Sequence, residues 1–370
     1  MDDRRIVVIK IAYVTKNMAS NGITNVVMNY GTKLDQSKFQ LTIITGTPIE
    51  LKEYSEKCRK YGIKIVLLPA KDKSAIAYYR ALWRELKNHY DIVHVHGNSA
   101  IITIEMMMAK FSGIKVRIAH CHNIMCDHTI AHKILRPVFK NLYTYGFACS
   151  MDAGKWLFRN GTFEVLPNAF QTERFVFNPT ARTKIRKLLG IENNFVIGNI
   201  ARFNDQKNHS YLLDVFEKVA QRKEDAILLL IGNGPNLEMI KNKIEKHPNK
   251  DRIIYYGVTD KIEELYSAMD VFVLPTKYEG LGIVFVEAQI NGLPVVTSNR
   301  VPREVAMGNK IIFLPLESSQ DLWCKTILQI NVSDRKTFYE THYTDIMRYD
   351  IDCNVKRLEN IYQKLVDKIC

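Results

Sequence analysis

The chain of 370 residues contains two series of apolar segments, and segments with helical periodicity separate the members of each series. The predicted strands are 6–14, 39–45, 63–68, 91–96, 115–120 and 146–149 in the first series, and 195–200, 226–231, 252–256, 271–275 and 294–297 in the second. Unbroken runs of valine, isoleucine and leucine are typical of parallel strands covered by helices on both faces. The pattern predicts an α/β protein with two Rossmann-like, doubly wound domains.

A turn sequence, Leu166-Pro167-Asn168-Ala169-Phe170, separates the two series. Proline and asparagine favour turns, so we place the linker there. We predict a first domain at 1–168, a second at 169–345 and a C-terminal helix at 346–370, where apolar residues recur on one helical face. Ligands of open α/β sheets bind beyond the carboxyl ends of the strands, so we expect the two domains to face each other across a cleft.

Positive charge is concentrated in the first half of the chain. Residues 1–168 hold 24 lysines and arginines against 13 acidic residues, whereas residues 169–370 hold 28 against 26. An anionic partner of the first half is one explanation, and a solubilising surface is the other. No recognised nucleic-acid motif is present, which leaves anionic lipid or a phosphorylated acceptor. Seven scattered cysteines without a Cys-x-x-Cys pair predict reduced thiols in the cytoplasm, and no apolar run is long enough to predict a transmembrane helix.

Two acidic residues, Glu279 and Glu287, enclose a glycine-rich turn and an apolar helical start. The glycines of this turn, Gly280 and Gly282, allow a backbone to approach a ligand closely. The amides and the positive dipole end of a helix that starts there suit a phosphate. A ligand with phosphates and hydroxyls fits this arrangement, and a nucleotide sugar has both. The alternative is an acidic helix start with one paired interior glutamate.

Three predicted strands of the second domain end in further candidate binding residues. Arg202 and Lys207 follow strand 195–200, where two cations suit a diphosphate leaving group, although a solvated loop is the alternative. Gly232 and Gly234 follow the next strand as a Gly-x-Gly turn, which is either a nucleotide contact or a plain tight turn. Val258 closes a similar segment after strand 252–256.

The first loop of the first domain contains Asn21 and Gly22. Glycine at this position suits a strained backbone near a phosphate, and a featureless turn is the alternative.

Seven of the ten histidines lie in residues 89–132. His94 and His96 form one i, i+2 pair on a predicted strand, and His120 and His122 form another, so each pair faces one side of its strand. Such a group indicates either a metal site or histidines satisfied by structural hydrogen bonds. A histidine at a strand end can also orient substrate hydroxyls.

With these motifs and the Leu-Pro-Asn linker, the chain resembles the retaining glycosyltransferases of family 4, and among them the bacterial enzymes that build capsule, exopolysaccharide and lipopolysaccharide. The most specific segment is 279–298, EGLGIVFVEAQINGLPVVTS, and residues 91–97 also fit. The resemblance implies a GT-B fold with the donor nucleotide in the second domain and the acceptor on the first. It also implies that the C-terminal helix crosses back to the first domain.

The resemblance further implies a role for each matched residue. Arg202 and Lys207 would grip the donor diphosphate, and Glu279 would bind the sugar hydroxyls. Glu287 would hold the ribose hydroxyls. A histidine near the transferred sugar would be His122, in preference to His120, because His122 ends its strand. The β-phosphate would meet the backbone of Gly280, Leu281, Gly282 and Ile283. The family's glycine pair in the first loop is replaced here by Asn21 and Gly22.

Together these inferences predict a retaining transferase without metal or cofactor. We expect it to move a hexosyl or N-acetylhexosaminyl group from a nucleotide sugar, with UDP the favoured nucleotide, to a saccharide or lipid-linked saccharide in bacterial surface polysaccharide synthesis. The basic first domain predicts peripheral contact with anionic lipid at the inner face of the cytoplasmic membrane, and no nucleic-acid partner. The alternatives are a nucleotide-sugar epimerase or hydrolase, a histidine-rich metal-dependent hydrolase and a non-catalytic sugar-nucleotide binding subunit.

Overall fold

The computed structural model describes residues 8–19, 22–49, 52–331 and 335–368. The chain divides into two compact units. Unit 1 consists of Met1–Phe170 together with Arg348–Cys370, and unit 2 is Gln171–Met347. These divisions lie two residues from the domain limits predicted from the sequence.

Unit 1 is built on a parallel sheet of seven strands in the order β3-β2-β1-β4-β5-β6-β7. The strands are β1 (Ile9–Thr15), β2 (Phe39–Thr45), β3 (Lys64–Leu67), β4 (Ile92–Gly97), β5 (Val116–Cys121), β6 (Tyr145–Ala148) and β7 (Glu164–Val165). The connecting helices are α1 (Gly22–Gly31), α2 (Lys52–Lys60), α3 (Ala75–Leu86), α4 (Thr103–Phe111), α5 (Thr129–Phe139) and α6 (Met151–Phe158). The order reverses between β1 and β4, which places the ligand-binding edge of such a sheet at their carboxyl ends.

Unit 2 has a parallel sheet of six strands in the order β10-β9-β8-β11-β12-β13. Its strands are β8 (Phe195–Ile200), β9 (Ala226–Ile231), β10 (Ile253–Gly257), β11 (Val271–Leu274), β12 (Val295–Ser298) and β13 (Ile311–Leu314). Its helices are α7 (Pro179–Leu189), α8 (His209–Arg222), α9 (Leu237–Glu245), α10 (Ile262–Ala268), α11 (Ile283–Ile290), α12 (Gln320–Leu328), α13 (Phe338–Thr341) and α14 (Tyr343–Met347). Here β8 and β11 form the switch point of the strand order.

The prediction of two doubly wound parallel sheets is confirmed. The strands that it omits are β7, which has only two residues, and β13, which is partly exposed and lacks a fully buried apolar run. Each lies at one end of its sheet, where burial on both faces is not required.

Helix α7 shows how local sequence sets an element. The Asn178 side chain accepts a hydrogen bond from the Ala181 amide at 3.0 Å, and Pro179 occupies the first turn. Gly190 ends the helix in the left-handed region, with a φ of 67°. This is the expected order of an asparagine cap, an early proline and a terminal glycine.

The last helix, α15 (Ile351–Asp367), belongs to unit 1. Asp350 caps it by accepting from the Cys353 amide at 3.0 Å. Its buried face, which includes Val355, Leu358 and Tyr362, joins the core formed by β1, β2 and α1. The C-terminal helix therefore completes the hydrophobic core of the first unit, as the family resemblance implies. Among the described residues, no helix is both long and apolar enough to cross a membrane.

Candidate functional site

Two of the three predicted catalytic side chains of unit 2, those of Lys207 and Glu279, contact each other directly. Lys207 Nζ donates to Glu279 Oε1 at 2.6 Å, and the two side chains are only 16% and 6% exposed. Gln206 donates to the other carboxylate oxygen at 3.3 Å and to the Tyr278 carbonyl at 2.8 Å. A buried carboxylate requires such partners, because an unpaired charge away from water is costly. The structure thus forms a compact ion pair from residues that are 72 positions apart in the chain.

Backbone contacts hold the loop after β8 against the loop after β11. Asn204 Oδ1 accepts from the Lys207 amide at 3.2 Å and closes a short 3-10 turn. The Gln206 carbonyl accepts from the Lys277 amide at 2.8 Å and from the Thr276 hydroxyl at 3.0 Å. These bonds fix the ion pair at the carboxyl ends of the two central strands, β8 and β11.

Arg202 follows β8 and is exposed, and its guanidinium has no carboxylate partner among the residues that the structure describes. It therefore keeps its planar donor set available for an anion.

Helix α11 begins next to this pair. Its N-cap is Gly282, which has a φ of 87° and no side chain to cap the first amides. A Cβ atom at Gly282 would lie 2.5 Å from the Phe285 ring, so the turn excludes larger residues. Leu281 is buried, whereas Ile283 is half-buried at the first turn. The dipole at this helix start favours an anion, as the predicted β-phosphate contact of residues 280–283 requires.

Glu287 lies one turn further along α11, where the Tyr266 hydroxyl donates to its Oε2 at 2.7 Å. Burial raises the pKa of Glu287 to about 7, although the bond from Tyr266 and the nearby Arg174 act in the opposite direction. This carboxyl group is therefore only partly ionised at neutral pH. The sequence patterns do not identify Tyr266, because the only signal is a tyrosine inside a short helix.

A neighbouring loop lies too close to the two glycines after β9 to leave room for a side chain at either position. Gly232 has a φ of 136°, and a Cβ atom there would lie 2.0 Å from the Ala201 carbonyl oxygen. A Cβ atom at Gly234 would lie 2.3 Å from the Phe203 carbonyl oxygen. The close approach is therefore to the Arg202 loop itself, which gives these glycines a structural reason that does not involve a ligand. Their contact with the nucleotide remains a prediction.

We expect Gly232→Ala to lower the free energy of unfolding by about 2 kcal/mol, because the new methyl group must displace the backbone that carries Arg202. Urea denaturation would measure the change. Gly257→Ala is the matched control, since Gly257 also has a positive φ, 89°, but open space around its Cβ position. Equal losses in the two variants would show that backbone strain alone acts at Gly232.

Val258 and Gly22 are the two remaining predicted binding residues. Val258 follows β10 and is 70% exposed, so it offers an apolar surface to solvent. Gly22 is the first residue of α1, its φ is outside the left-handed region and a Cβ atom there would meet nothing within 4 Å. The predicted backbone strain at Gly22 is wrong, since the residue begins an ordinary helix. The neighbouring prediction for Asn21 lies outside the described residues.

In unit 1, the two histidine pairs meet across β4 and β5. The rings of His94 and His96 stack with centroids 4.4 Å apart, and those of His120 and His122 lie 4.1 Å apart. The predicted orientation of each pair toward one side of its strand is therefore confirmed. A 3.2 Å hydrogen bond joins His94 to His120, and a 3.0 Å bond joins His96 to His122.

Residues distant in sequence complete this cluster. Tyr362 of α15 is hydrogen-bonded to His94 Nδ1 at 2.7 Å and to the Tyr13 hydroxyl at 2.9 Å. Asn168, from the predicted linker, lies 3.4 Å from His122 Nδ1. Burial lowers the pKa of His122 to about 4, although the bond to Asn168 acts in the opposite direction. The pKa values of the other three histidines are also lowered, first by burial and then by their neighbours.

The ligand atoms of His94, His96 and His120 lie within 4.8 Å of one another, and Nε2 of both His96 and His120 lacks a hydrogen-bond partner among the described residues. Neutral imidazoles are good metal ligands, so the donor type fits. No acidic residue belongs to this group to offset the charge of a buried divalent cation. The expectation that the protein needs no metal therefore stays a prediction.

Comparison with known proteins shows two family matches. The model of "Glycosyltransferase Family 4" matches residues 20–174, and that of "Glycosyl transferases group 1" matches residues 181–320. The two matches follow each other without overlap and correspond to the sheets of unit 1 and unit 2.

Individual relatives extend along most of the chain. EpsF of Bacillus subtilis is 29% identical to this chain, and the match covers 97% of both proteins. The name of EpsF calls it a glycosyltransferase and specifies neither a donor nor an acceptor. An Escherichia coli UDP-Gal:alpha-D-GlcNAc-diphosphoundecaprenol alpha-1,3-galactosyltransferase is 25% identical over 79% of each chain.

Solved structures share the fold at lower identity. Anabaena HepE in complex with UDP and glucose has a TM-score of 0.80 at 16% identity, and covers 96% of this chain and 100% of its own. WaaG, a glycosyltransferase of lipopolysaccharide biosynthesis, has a TM-score of 0.73 at 13% identity, with 95% and 99% covered. Both sheets therefore have the arrangement found in GT-B proteins.

Proposed function

Because this chain belongs to the family 4 glycosyltransferases and has their GT-B fold, we propose that it is a retaining, metal-independent hexosyl- or N-acetylhexosaminyltransferase. The proposed donor is a UDP sugar and the proposed acceptor is a saccharide or lipid-linked saccharide. The coarser activity, glycosyl transfer from a sugar donor in polysaccharide synthesis, follows from the family matches and the relatives.

The buried Lys207–Glu279 pair beside exposed Arg202 is the observation that carries the proposal. As the bond between the sugar and the diphosphate breaks, negative charge grows on the leaving oxygen. The Arg202 guanidinium, the Lys207 ammonium and the start of α11 would stabilise that charge from fixed positions. Glu279 would accept hydrogen bonds from the sugar hydroxyls while it holds Lys207 in place.

Retention follows in this proposal from attack on the same face that the diphosphate leaves. The acceptor oxygen forms the new bond to the anomeric carbon, and its proton passes to an oxygen of the departing diphosphate. The transition state resembles the oxocarbenium ion of glycoside hydrolysis. No protein base is needed, and two cations take the place of a metal at the diphosphate.

The donor and acceptor classes rest on the relatives. The name of the Escherichia coli relative specifies a UDP sugar and a diphosphoundecaprenol-linked acceptor, and HepE binds UDP. A mycobacterial relative, 24% identical, is named as a GDP-mannose-dependent enzyme acting on a phosphatidylinositol mannoside. UDP is therefore the first nucleotide to test and GDP the second.

Incubation with a panel of UDP and GDP sugars and a lipid-linked saccharide should give a glycosylated product whose anomeric configuration matches that of the donor. We expect the rate to be unchanged by EDTA, since Arg202 and Lys207 supply the positive charge. Mass spectrometry and NMR of the product would measure both results.

Three outcomes would contradict parts of this proposal. Loss of activity with EDTA that Zn²⁺ or Mn²⁺ restores would favour a metal-dependent enzyme. Conversion of the donor without an acceptor would indicate an epimerase or hydrolase. Donor binding without any turnover would indicate a binding subunit.

We expect donor affinity to rise about tenfold between pH 6 and pH 8. Glu287 would accept hydrogen bonds from the ribose hydroxyls as a carboxylate, and its pKa of about 7 makes the ionised fraction grow over this range. The apparent dissociation constant changes in inverse proportion to that fraction. Titration of the UDP sugar at three pH values would measure the effect.

Glu287→Gln is the control for this pH dependence, because an amide does not titrate. The variant should bind the donor weakly at every pH in the range. A wild-type affinity that does not change with pH would contradict the role of Glu287 at the ribose.

The lipid-linked acceptor also gives the positive charge of unit 1 a function. Each lysine or arginine near an anionic bilayer contributes about 1 kcal/mol of attraction, which salt weakens. We therefore propose salt-reversible, peripheral contact of unit 1 with the inner face of the cytoplasmic membrane.

A further inference from the structure

Helix α5 has an exposed apolar stripe. Ile130, Ile134 and Val138 follow the i, i+4, i+8 spacing of one helical face, and they are 74%, 68% and 48% exposed. Met125, in the loop that leads into the helix, is 45% exposed. Single exposed apolar residues are common on protein surfaces, but an aligned group on one helix indicates a surface for contact.

The opposite side of α5 is firmly attached to unit 1. His132 and Phe139 are each 1% exposed. His132 Nδ1 accepts from the Ala100 amide at 3.1 Å, and its ring stacks on Trp156 with centroids 4.4 Å apart. The helix is therefore held in place by its inner face while the apolar stripe remains uncovered.

The charged residues beside the stripe on α5 itself are all positive, and one exposed acidic residue, Asp127, precedes the helix. Lys133 is exposed and Arg136 is half-buried on the same helix, and Lys140, the C-cap residue that follows it, is exposed. No acidic residue occurs between Asp127 and Asp152. Pairing with a second copy of the same helix would bring the three cations of each copy together against one acidic residue, Asp127, which disfavours self-association. An anionic surface with an apolar interior matches both features.

We propose that α5 lies in the interface of an anionic lipid bilayer. Ile130, Ile134 and Val138 enter the acyl boundary, and Lys133 and Lys140 contact the headgroups. A short helix with an apolar stripe beside cations has the character of such interfacial elements. The inference deepens the proposed membrane contact, on which it rests, by assigning it to one helix. Because α5 follows the His122 loop in the chain, docking would bring that loop near a lipid-linked acceptor.

Vesicle binding of the full chain tests the assignment. We would measure sedimentation with phosphatidylcholine vesicles, with and without phosphatidylglycerol, at about 0.1 M and about 1 M salt. Ile130→Asn/Ile134→Asn should lower partitioning into the anionic vesicles at least about tenfold at both salt concentrations. Lys133→Gln/Lys140→Gln should lower it about thirtyfold at low salt and little at high salt. Both pairs are exposed, so these changes should affect the fold little.

Matched controls come from unit 2. Leu188 is 68% exposed, as Ile134 is, and Lys243 and Lys246 are exposed. Leu188→Asn and Lys243→Gln/Lys246→Gln should bind vesicles as the unchanged chain does. Equal binding by the α5 variants and the unchanged chain, or equal losses in the controls, would overturn the assignment. A dimer in sedimentation analysis that Ile134→Asn abolishes, with no vesicle binding, would instead identify a second copy as the partner.

Transfer assays separate this inference from the proposed function. Ile130→Asn/Ile134→Asn should keep transfer to a water-soluble acceptor and lose at least about tenfold of the transfer to a lipid-linked acceptor in vesicles. If the unchanged chain transfers to neither acceptor, the proposed function fails, while the vesicle measurements still decide the role of α5. If the variant loses both activities equally, α5 acts in some way other than membrane docking.

Discussion

Glu279→Gln should lower the rate of sugar transfer by about 100- to 1000-fold, the range observed when one preorganised electrostatic group is removed from an active site. The amide keeps the shape of the carboxylate but removes the charge that orients Lys207 at 2.6 Å. Lys207→Ala should lower the rate to a similar degree, because it removes a cation from the diphosphate. Steady-state kinetics with the donor identified in the transfer screen would measure both losses. Near-normal turnover in either variant would exclude the assigned site.

The structure predicts that the two variants differ in stability. Lys207→Ala leaves the Glu279 carboxylate buried and without its cation, and breaking a buried pair in this way costs about 3–5 kcal/mol. The double variant Glu279→Gln/Lys207→Met removes both charges, so we expect it to regain stability but not activity. The sequence alone does not indicate this loss of stability, because the pairing of the two side chains is visible only in three dimensions.

A second ion pair provides a matched control. Lys71 and Glu105 in unit 1 are also 2.6 Å apart, with the same exposures of 16% and 6%. Lys71→Ala should destabilise the chain by a similar amount but leave donor binding unchanged, as measured on the folded fraction. A loss of donor binding equal to that of Lys207→Ala would show that the effect at Lys207 is only structural.

Acidification should unfold unit 1 before unit 2. The buried histidine cluster of unit 1 is neutral in the fold, since the pKa values of all four members are lowered. In the unfolded chain a histidine has a pKa of about 6.5, so the unfolded state binds more protons below that pH. Stability is therefore fully present above pH 6.5 and is lost as the pH falls toward about 4. His122 alone, with a pKa of about 4, accounts for roughly 2 kcal/mol between pH 7 and pH 5.

Unit 2 contains an internal reference for this effect. His209 is also buried, with a pKa lowered to about 4, but it has no histidine cluster around it. Hydrogen exchange at pH 5 should therefore show loss of protection in β4 and β5 while β8 and β9 remain protected. His96→Gln/His122→Gln should reduce the pH dependence of unit 1. Simultaneous loss of protection in both units would contradict a dominant role for the cluster.

Sequence patterns predict the repeating elements well, because a strand buried on both faces must be apolar throughout. Strand β9 is buried at every position and coincides with the prediction for 226–231. The strand ends also place Arg202, Lys207 and Glu279 at one edge of the sheet, since parallel strands share that edge. Local sequence patterns do not show which distant residues contact each other in the fold. His94 meets Tyr362 across 268 positions, and Gly232 is constrained by the Ala201 carbonyl oxygen.

The contribution of α15 to unit 1 has a consequence for biosynthesis. Unit 2 is continuous in sequence, whereas the core of unit 1 needs Leu358 and Tyr362, which are translated after the whole of unit 2. During translation, domains generally fold in the order in which they leave the ribosome. Here the segment that is translated first cannot complete its core, and the apolar surfaces of β1 and α1 stay uncovered, until residues beyond 362 have emerged. The nascent chain therefore exposes an incomplete apolar core for longer than its order of synthesis suggests, and that interval is when chaperone binding would protect it.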